Sequence, residues 1–190
     1  MSNFYKLEVL GLERQLPILP TPSGVNIAGF NSVGDTELLK NSGEFLVNEL
    51  KKNNVEFDVI LTTELKGIPI AQEVARLTNT DYVCLRKQEK CYMFEPKKIY
   101  SESITSGKTE FYVSTTEFDK LENKKVIFVD DVFSTGATFN GILSFFKDTN
   151  IDIVAGAFIL KEVPKTAIDS PLSFEFQNKQ VFSCGILPLP

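Results

Sequence analysis

The sequence predicts an α/β fold in which helices cover both faces of a parallel sheet. Hydrophobic spacing along the 190 residues changes repeatedly between a strand-like and a helix-like period. The predicted strands are apolar on both faces, which is typical of parallel strands that are buried on each side. Helical segments separate them, as the crossover connections of a parallel sheet require. The length fits one domain, so residues 1–190 are expected to form a single unit.

The N-terminal part of the chain is predicted to be a loop-rich cap that leads into a helix. Prolines and glycines divide residues 1–34 into short apolar pieces, which favours turns over long elements. Asp35 then fits a helix N-cap, because its carboxylate can accept a hydrogen bond from a free backbone amide. Apolar residues at helical spacing continue as far as Lys51 and Lys52, whose positive charges suit a helix C-terminus.

Two short strands with a helix between them are predicted in the next segment. The β-rich run at 55–62 predicts the first core strand. A short loop at 63–67 connects it to a helix that has Pro69 in its first turn, where proline is well tolerated. Residues 82–86 predict the second core strand.

The hydrophobic pattern lapses between residues 87 and 108. This segment is rich in basic and hydroxyl side chains, and only a weakly alternating piece at 109–114 follows it. A structureless loop of this length is unusual inside a compact domain and is more often a functional lid than an accident. We therefore expect a long flexible loop here.

The second half of the chain contains the strongest strand signal. Residues 126–131 are predicted as a buried strand, 137–147 as a helix with an apolar face, and 151–160 as a last apolar strand. The remaining segment, 161–190, is a proline-rich tail. Ligands of parallel sheets bind beyond the carboxyl ends of the strands, which makes the loops at 62–67 and 130–138 the candidate binding segments.

Composition excludes several classes of function. The chain contains no histidine, so catalytic triads and zinc sites that depend on imidazole are impossible. Its net charge of -5 argues against capture of nucleic acid or an anionic membrane by the whole surface. Three cysteines without a CxxC pair are typical of reduced side chains. No apolar run approaches the roughly 18 residues of a membrane span and no signal-peptide layout is present, so a cytoplasmic protein is expected.

The most informative segment is the run Val-Ile-Phe-Val-Asp-Asp-Val-Phe-Ser-Thr-Gly-Ala-Thr at 126–138. A buried strand ends there in two carboxylates, Asp130 and Asp131, and turns through hydroxyl residues and a glycine into a helix. Backbone amides at a helix N-terminus hold anions such as phosphate, and the hydroxyls of the loop add donors. The carboxylates suit sugar hydroxyls or hydrated Mg²⁺ instead. A ligand with a phosphate at one end, a diol in the middle and metal-bound charge beyond would satisfy both halves.

This run resembles the phosphoribosyl diphosphate (PRPP) signature of the type I phosphoribosyltransferases, in which four apolar and two acidic residues precede a hydroxyl-rich loop with Thr-Gly-x-Thr. The resemblance implies the type I phosphoribosyltransferase fold, with a hood at 1–34 and 161–190 and a flexible lid at 87–108. It also implies that Asp130 and Asp131 hold the ribose hydroxyls near the reacting carbon. The residues implied to bind the 5-phosphate are Ser134, Thr135, Gly136, Ala137 and Thr138.

The same family holds the diphosphate between a loop after its first core strand and basic residues after its second. The matching positions here are Glu64, Leu65, Lys66 and Gly67 in the loop, and Arg86, Lys87 and Lys90 after the second strand. A tight turn lets backbone amides approach the diphosphate, and the cations would neutralise the leaving group. Taken alone, the two segments equally fit a plain turn and a solvated basic face.

The resemblance connects two further segments to the substrate. The lid would close over PRPP and keep water from the activated carbon. The polar lid residues are Glu102, Ser103, Thr105 and Lys108. Phe30 and Asn31 lie where the adenine and xanthine branch of the family builds part of its base pocket. Phe30 would stack on a purine and Asn31 would hydrogen-bond its edge, although a core phenylalanine and a turn asparagine explain them as well.

The predicted activity is transfer of the 5-phosphoribosyl group from PRPP to a ring nitrogen of a purine base, in purine salvage. Adenine is the first choice of base, and xanthine or hypoxanthine and guanine come next. The resemblance implies Mg²⁺ as cofactor, bound through the diphosphate, the ribose hydroxyls and the carboxylates of Asp130 and Asp131. It also implies a homodimer as the assembly. Neither nucleic acid nor a membrane is expected as a partner.

Three alternative interpretations each conflict with a feature of the sequence. A non-catalytic PRPP-sensing module would resemble the purine repressors, but the 34 residues before the first helix are too few and insufficiently basic for their DNA-binding domain. A receiver domain also has an acidic pair after a strand, but after the first strand of the domain. Residues 106–109 end like a P-loop, but Glu102 stands where that motif requires its first glycine.

Overall fold

The computed structural model describes residues 4–20, 24, 26–103 and 107–189, with only the backbone at 101–103 and 107–109. The N-terminal part forms the strands β1 (Phe4–Val9), β2 (Leu12–Pro20) and β3 (Asn26–Ala28), followed by helix α1 (Thr36–Lys52). The middle part contains β4 (Val59–Thr63), α2 (Gly67–Thr78), β5 (Asp81–Leu85), β6 (Lys97–Ser103), β7 (Gly107–Val113) and the one-turn helix α3 (Thr115–Phe118). The remainder contains β8 (Lys125–Phe133), α4 (Ala137–Phe146), β9 (Asp152–Val163), a 3₁₀ turn (Lys165–Ala167), β10 (Ser173–Phe176) and β11 (Lys179–Pro188).

The central sheet confirms the predicted α/β fold. Its strand order is β10-β11-β9-β8-β4-β5, and all neighbours are parallel except the edge pair β10 and β11. Helices α1 and α2 pack on one face, in a core that includes Leu46 and Ile127. Helix α4 packs on the other face, in a core that includes Phe128 and Phe139. Neighbouring residues of β8 therefore enter different cores, as expected for a strand that is apolar on both faces.

The strand order creates a cleft between β4 and β8. The chain passes from β4 to β5 towards one edge of the sheet, whereas β8, β9 and β11 lie on the other side of β4. Ligands of parallel sheets bind at such a reversal point, beyond the carboxyl ends of the strands. The two candidate loops, after β4 and after β8, both begin there.

The N-terminal cap is a three-stranded antiparallel sheet, so the prediction of a loop-rich segment was wrong for residues 4–20 and 26–28. Leu7 and Val9 alternate with exposed residues and join the core of α1. Pro17 lies where the pairing of β2 with β1 ends and its pairing with β3 begins, a position that tolerates proline. The predicted N-cap is confirmed: Asp35 accepts a hydrogen bond of 3.1 Å from the Leu38 amide.

The prediction of a structureless loop at 87–108 was wrong for residues 97–103 and 107–108, which form a β-hairpin with the residues that follow, whereas residues 87–96 contain no helix or strand. Strands β6 and β7 pair antiparallel, from Lys97 opposite Val113 to the strand ends at 103 and 107. Ile99 is buried, whereas its neighbour Lys98 is exposed. Only one face of the hairpin packs on the core, so few apolar residues mark it in the sequence.

The segment predicted as a C-terminal cap also contributes to the central sheet. Strand β11 lies between β9 and β10, and it pairs in parallel with β9. Val181 and Phe182 are almost fully buried within it. The prolines of this segment argued against a strand in the sequence. Pro171 precedes β10 and Pro188 ends β11, and at these positions prolines remove few hydrogen bonds between strands. In the described part of the chain, no helix is long and apolar enough to cross a membrane.

Candidate active site at the carboxyl ends of the central strands

Two adjacent carboxylates lie near the carboxyl end of β8. Asp130 Oδ2 accepts a hydrogen bond of 2.9 Å from the Thr63 hydroxyl, and its Oδ1 accepts one of 2.9 Å from the Asp131 amide. Burial, and after it the negative charge of Asp131, raises the pKa of Asp130 well above the usual range of an aspartate. Asp130 therefore takes up a proton more readily than a surface aspartate, and a bound cation would oppose this.

Lys66 connects three parts of the site. Its Nζ lies 3.3 Å from Asp131 Oδ2 and donates a hydrogen bond of 2.9 Å to the Phe30 carbonyl oxygen, just before α1. Asp131 Oδ2 is buried and makes no hydrogen bond within the described residues. The ammonium group of Lys66, 3.3 Å away, supplies its counter-charge. In the same loop, the peptide bond between Glu64 and Leu65 is cis. An anionic ligand at this loop would compete with Asp131 for the ammonium group.

Gly67 begins helix α2 directly against the acidic pair. A Cβ atom at this position would lie 2.6 Å from Asp130 Oδ1 and even closer to the Thr62 hydroxyl. Both distances are shorter than a normal van der Waals contact, so only glycine lets the start of the helix approach the carboxylate this closely. The Thr62 hydroxyl is buried and has no hydrogen-bond partner among the described residues.

The predicted basic residues follow β5 and are tied to the loop after β4. The Arg86 backbone exchanges hydrogen bonds of 2.9 and 2.7 Å with Tyr112 of the hairpin. The Lys87 amide donates to Glu64 Oε1 at 2.9 Å, which holds the basic segment against the predicted diphosphate loop. Lys87 is exposed and Lys90 is partly exposed, so both remain available to a ligand.

Charges of both signs surround Cys84, the residue before the end of β5. Burial raises the pKa of its thiol to about 11, and the positive charge of Arg86 opposes that increase. The carboxylates of Glu64, Glu117 and Asp130 raise it further. One cation and three carboxylates, of which Glu117 comes from α3, thus lie close enough to Cys84 to change the pKa of its thiol.

The loop after β8 has the features of an anion site. Gly136 has a φ of 76°, a left-handed conformation that glycine adopts without strain. The first amides of α4 have no partner within the helix. Ala137 donates a weak hydrogen bond of 3.4 Å to the Thr135 hydroxyl, which precedes the helix. A cavity of about 80 Å³ lies against this loop and Asp130. The exposed hydroxyl residues of the loop are Ser134, Thr135 and Thr138. Such a group of donors suits a phosphate.

The two residues predicted for the base pocket make other contacts. Phe30 is 6% exposed, and its ring packs in the core shared with α1, so it is the carbonyl oxygen that reaches Lys66. Asn31 is exposed, and its Oδ1 accepts a hydrogen bond of 3.2 Å from the Val33 amide, as in an Asx turn. Of the two explanations that the sequence allowed, the structure supports a core phenylalanine and a turn asparagine.

The predicted lid residues can be placed only through the backbone. Thr105 lies outside the described residues, as do the side chains of Glu102, Ser103 and Lys108. The strands that contain Glu102, Ser103 and Lys108 are attached to the site, because β7 also carries Tyr112, the backbone partner of Arg86.

Sequence reasoning missed residues that support the site from other elements. Thr63, the hydrogen-bond partner of Asp130, lies in the candidate loop at 62–67, but sequence reasoning assigned it no role of its own. Phe176 of β10 packs against Gly136 so closely that a Cβ atom on this glycine would lie 2.6 Å from Phe176 Cζ. The centre of the Phe176 ring lies 5.2 Å from the centre of the Phe133 ring. Phe176 therefore covers the outer side of the loop at 134–138. The sequence did not indicate this role, because Phe176 lies in the segment predicted as a cap.

The residues present fit a magnesium ion that is bound mainly by its substrate. Across the residues described, no three histidine, cysteine, aspartate or glutamate side chains group as a metal site. Mg²⁺ keeps several waters and is often bound by one or two protein carboxylates together with substrate phosphates. Asp130 and Asp131, next to a candidate phosphate loop, provide such a pair.

Comparison with known proteins identifies relatives along most of the chain. The phosphoribosyl transferase domain family matches residues 31–182. An adenine phosphoribosyltransferase of Campylobacter fetus subsp. fetus is 24% identical over 160 residues, which cover 84% of this chain and 86% of that protein. A hypoxanthine/guanine phosphoribosyltransferase of Methanococcus maripaludis is 34% identical over 104 residues, which cover 55% of this chain and 53% of that protein.

Solved structures share the fold at low sequence identity. The adenine phosphoribosyltransferase of Thermoanaerobacter pseudethanolicus superposes with a TM-score of 0.67 and 18% identity, over 90% of this chain and 95% of that chain. The enzyme of Trypanosoma brucei, in complex with AMP, pyrophosphate and ribose-5-phosphate, gives 0.63 and 20% identity over 87% of this chain and 72% of that chain. Since the family match spans α1 to the start of β11, including the acidic pair and both candidate loops, this chain belongs to the phosphoribosyltransferase family.

Proposed function

We propose that this protein transfers the 5-phosphoribosyl group of PRPP to a ring nitrogen of a purine base, giving a nucleoside 5′-monophosphate and diphosphate. The observation that carries the proposal is the acidic pair, Asp130 and Asp131, between the hydroxyl loop at 134–138 and Lys66. Adenine is the first candidate, because the adenine phosphoribosyltransferase of C. fetus aligns along most of both chains. Hypoxanthine, guanine and xanthine follow. The relatives named above are enzymes, which does not support a non-catalytic PRPP sensor.

In the proposed complex the protein holds both anionic ends of PRPP. The 5-phosphate would bind to the amides and hydroxyls at 134–138, and the diphosphate to the loop with Lys66 and to Arg86, Lys87 and Lys90. Lys66 would exchange its contact with Asp131 for the diphosphate. Binding energy at the two ends then positions the carbon that reacts.

The proposed reaction is a displacement at C1 of the ribose. The lone pair of the base nitrogen forms the new bond to C1, while the C1–O bond breaks and its electron pair leaves with the diphosphate. Positive charge develops on the ribose, where Asp130 and Asp131 would bind the hydroxyls and stabilise that charge. When bound, Mg²⁺ would neutralise the diphosphate, held by substrate oxygens and by these two carboxylates. No step requires an imidazole, which agrees with a chain that has no histidine.

The proposal includes a homodimer in the cytoplasm. Leu65, in the diphosphate loop, and Tyr92 and Phe94, after the basic segment, are exposed apolar side chains that a dimer interface would cover. Light scattering on the purified protein would give its mass in solution, and a monomer at working concentration would remove this part of the proposal.

The test is an assay of diphosphate release with Mg²⁺, PRPP and one base at a time: adenine, hypoxanthine, guanine, xanthine, uracil or orotate. We expect turnover with adenine first. Replacing both carboxylates (Asp130→Asn with Asp131→Asn) should lower kcat/KM at least about 10²-fold, roughly 3 kcal/mol of transition-state stabilisation. The exposed Asp148→Asn is the control and should keep the wild-type rate.

Three results would contradict the proposal. Near-wild-type turnover by the double variant would remove the assigned role of the carboxylates. Binding of PRPP without consumption of any base would favour a sensor. A protein that does not bind PRPP would overturn the assignment as a whole.

A further inference from the structure

The guanidinium group of Arg86 is largely buried with few partners. Its side chain is 23% exposed, and its Nε is buried without a hydrogen-bond partner among the described residues. Nη2 lies 3.6 Å from Glu117 Oε1, which is too long for a hydrogen bond, and Cζ lies 5.6 Å from the centre of the Tyr92 ring. A guanidinium has five N–H donors, and leaving buried donors unpaired is unfavourable. Arg86 therefore has donors available for a further acceptor.

Glu117 is held in place independently of Arg86. It lies on α3, where its Oε2 accepts a hydrogen bond of 3.4 Å from the Ser114 amide at the start of the helix. This is half of a capping box, an arrangement that glutamine supports as well as glutamate. The other oxygen, Oε1, faces the arginine. One carboxylate thus caps a helix and also provides a weak counter-charge.

The backbone at Arg86 is joined to both sides of the proposed diphosphate site. Leu85 O accepts a hydrogen bond of 2.9 Å from the Glu64 amide, and Glu64 Oε1 accepts one of 2.9 Å from the Lys87 amide. On the other side, Arg86 pairs with Tyr112 of the hairpin. The arginine therefore cannot move away as a segment, and only its side chain is free to change partners.

We propose that Glu117 is a positioning residue that holds the Arg86 side chain while the diphosphate site is empty and yields it to the diphosphate on binding. The inference rests on the proposed function and deepens it. Arg86 exchanges a long ion pair for charge-assisted hydrogen bonds to a phosphate, which are shorter and stronger. The charge of Glu117 remains nearby and opposes the diphosphate. It thereby weakens the binding of a product that must leave before the next turnover.

The test measures the binding of diphosphate with Mg²⁺ by titration calorimetry, using sodium pyrophosphate as the probe. Glu117→Gln keeps the acceptor for the Ser114 amide and removes the charge. We expect it to tighten binding about three- to fivefold, the range of a partly exposed ion pair. In an Arg86→Gln background the gain from the same substitution should be smaller, because the ion pair is missing and only the repulsion between Glu117 and the diphosphate is removed. A structural role alone would not strengthen binding.

The matched control is Asp119→Asn, which removes an exposed negative charge at the other end of the same helix. An equal gain in this variant would indicate a general charge effect and would overturn the inference. So would unchanged or weaker binding in a folded Glu117→Gln variant. Glu117→Asp, which keeps the charge but shortens the side chain away from Arg86, tests the same contact if the glutamine variant unfolds. It should also bind diphosphate more tightly, and wild-type binding would count against the proposal.

Failure of this inference can be distinguished from failure of the proposed function. If the wild-type protein binds no diphosphate and transfers no phosphoribosyl group, both are wrong. If the wild-type protein turns over a purine base, the double aspartate variant loses activity, and Glu117→Gln leaves the binding of diphosphate unchanged, only the role of Glu117 is wrong.

Discussion

At the scale of single residues, we expect the buried carboxylate of Asp130 to lower the stability of the free protein near neutral pH. Burial, together with the charge of Asp131, raises its pKa in the folded state. The folded protein then binds more protons than the unfolded chain at pH values above the ordinary carboxyl pKa of about 4. Its contribution to stability therefore falls as the pH rises from there towards neutrality.

The substitution Asp130→Asn is expected to stabilise the ligand-free protein at about pH 8 while it impairs turnover. Asparagine keeps an acceptor for the Asp131 amide and can pair with the Thr63 hydroxyl, but it has no buried charge. Thermal unfolding between about pH 5 and pH 8 should show a shallower decline of Tm in the variant than in the wild type. The surface variant Asp148→Asn should follow the wild type. If Asp130→Asn is less stable than the wild type at the upper pH, the prediction is wrong, and the surrounding groups stabilise the negative charge of Asp130 in the folded protein.

Residues in one continuous motif were the ones the sequence could predict. Asp130 and the loop at 134–138 follow one another, and their chemistry is visible without a fold. Thr63 and Glu117 act through partners far along the chain, at separations that only the fold brings together. The burial of the Phe30 ring likewise depends on α1 and not on its neighbours in sequence.

At the scale of elements, the hairpin of β6 and β7 and the strand β10, which the sequence failed to predict, support the candidate site. The hairpin of β6 and β7 fixes the backbone of Arg86, and β10 packs against the loop at 134–138. The hairpin is half exposed and β10 is an edge strand, so their residues lack the continuous apolar run that marks β8. The parallel strands β4, β5, β8 and β9 were predicted because both of their faces are buried.

Phe176→Ala is expected to weaken the binding of PRPP, because it removes the ring that supports Gly136 from outside. We expect a roughly fivefold rise in KM with little change in kcat, since the ring lies away from the acidic pair. Steady-state kinetics would measure both. The control is Phe174→Ala on the same strand, whose ring also packs on Phe133 but is not among the atoms nearest to a Cβ of Gly136. Both variants should lose roughly 2 kcal/mol of stability. An equal rise in KM would assign the effect to lost stability.

At the scale of the whole molecule, the site is assembled from segments far apart in sequence. Lys66, Arg86 and the loop at 134–138 follow three different strands and meet only when the central sheet is complete. The class of fold was predictable because the change between strand-like and helix-like spacing of apolar residues can be read within short segments of the sequence. The strand order and the antiparallel edges were not, since pairing depends on contacts between distant segments.

A ligand that spans these segments should stabilise the entire domain. With Mg²⁺ and PRPP at a hundredfold excess over Kd, we expect about 2.7 kcal/mol of added stability, visible as a rise in Tm. Inorganic phosphate reaches only one end of the site and should give a smaller rise at the same concentration. Equal shifts from both ligands would indicate that only the loop at 134–138 binds.

The position of β11 has a consequence for biosynthesis. The ribosome makes residues 179–188, which form β11, after the residues of β1 to β10. Strand β11 nevertheless inserts between β9 and β10 and does not add to an edge of the sheet. A nascent chain that lacks them leaves one side of β9 unpaired and β10 without its only neighbour in the sheet. Domains fold as units during synthesis, so this one must wait for its last strand, with apolar surface exposed until then.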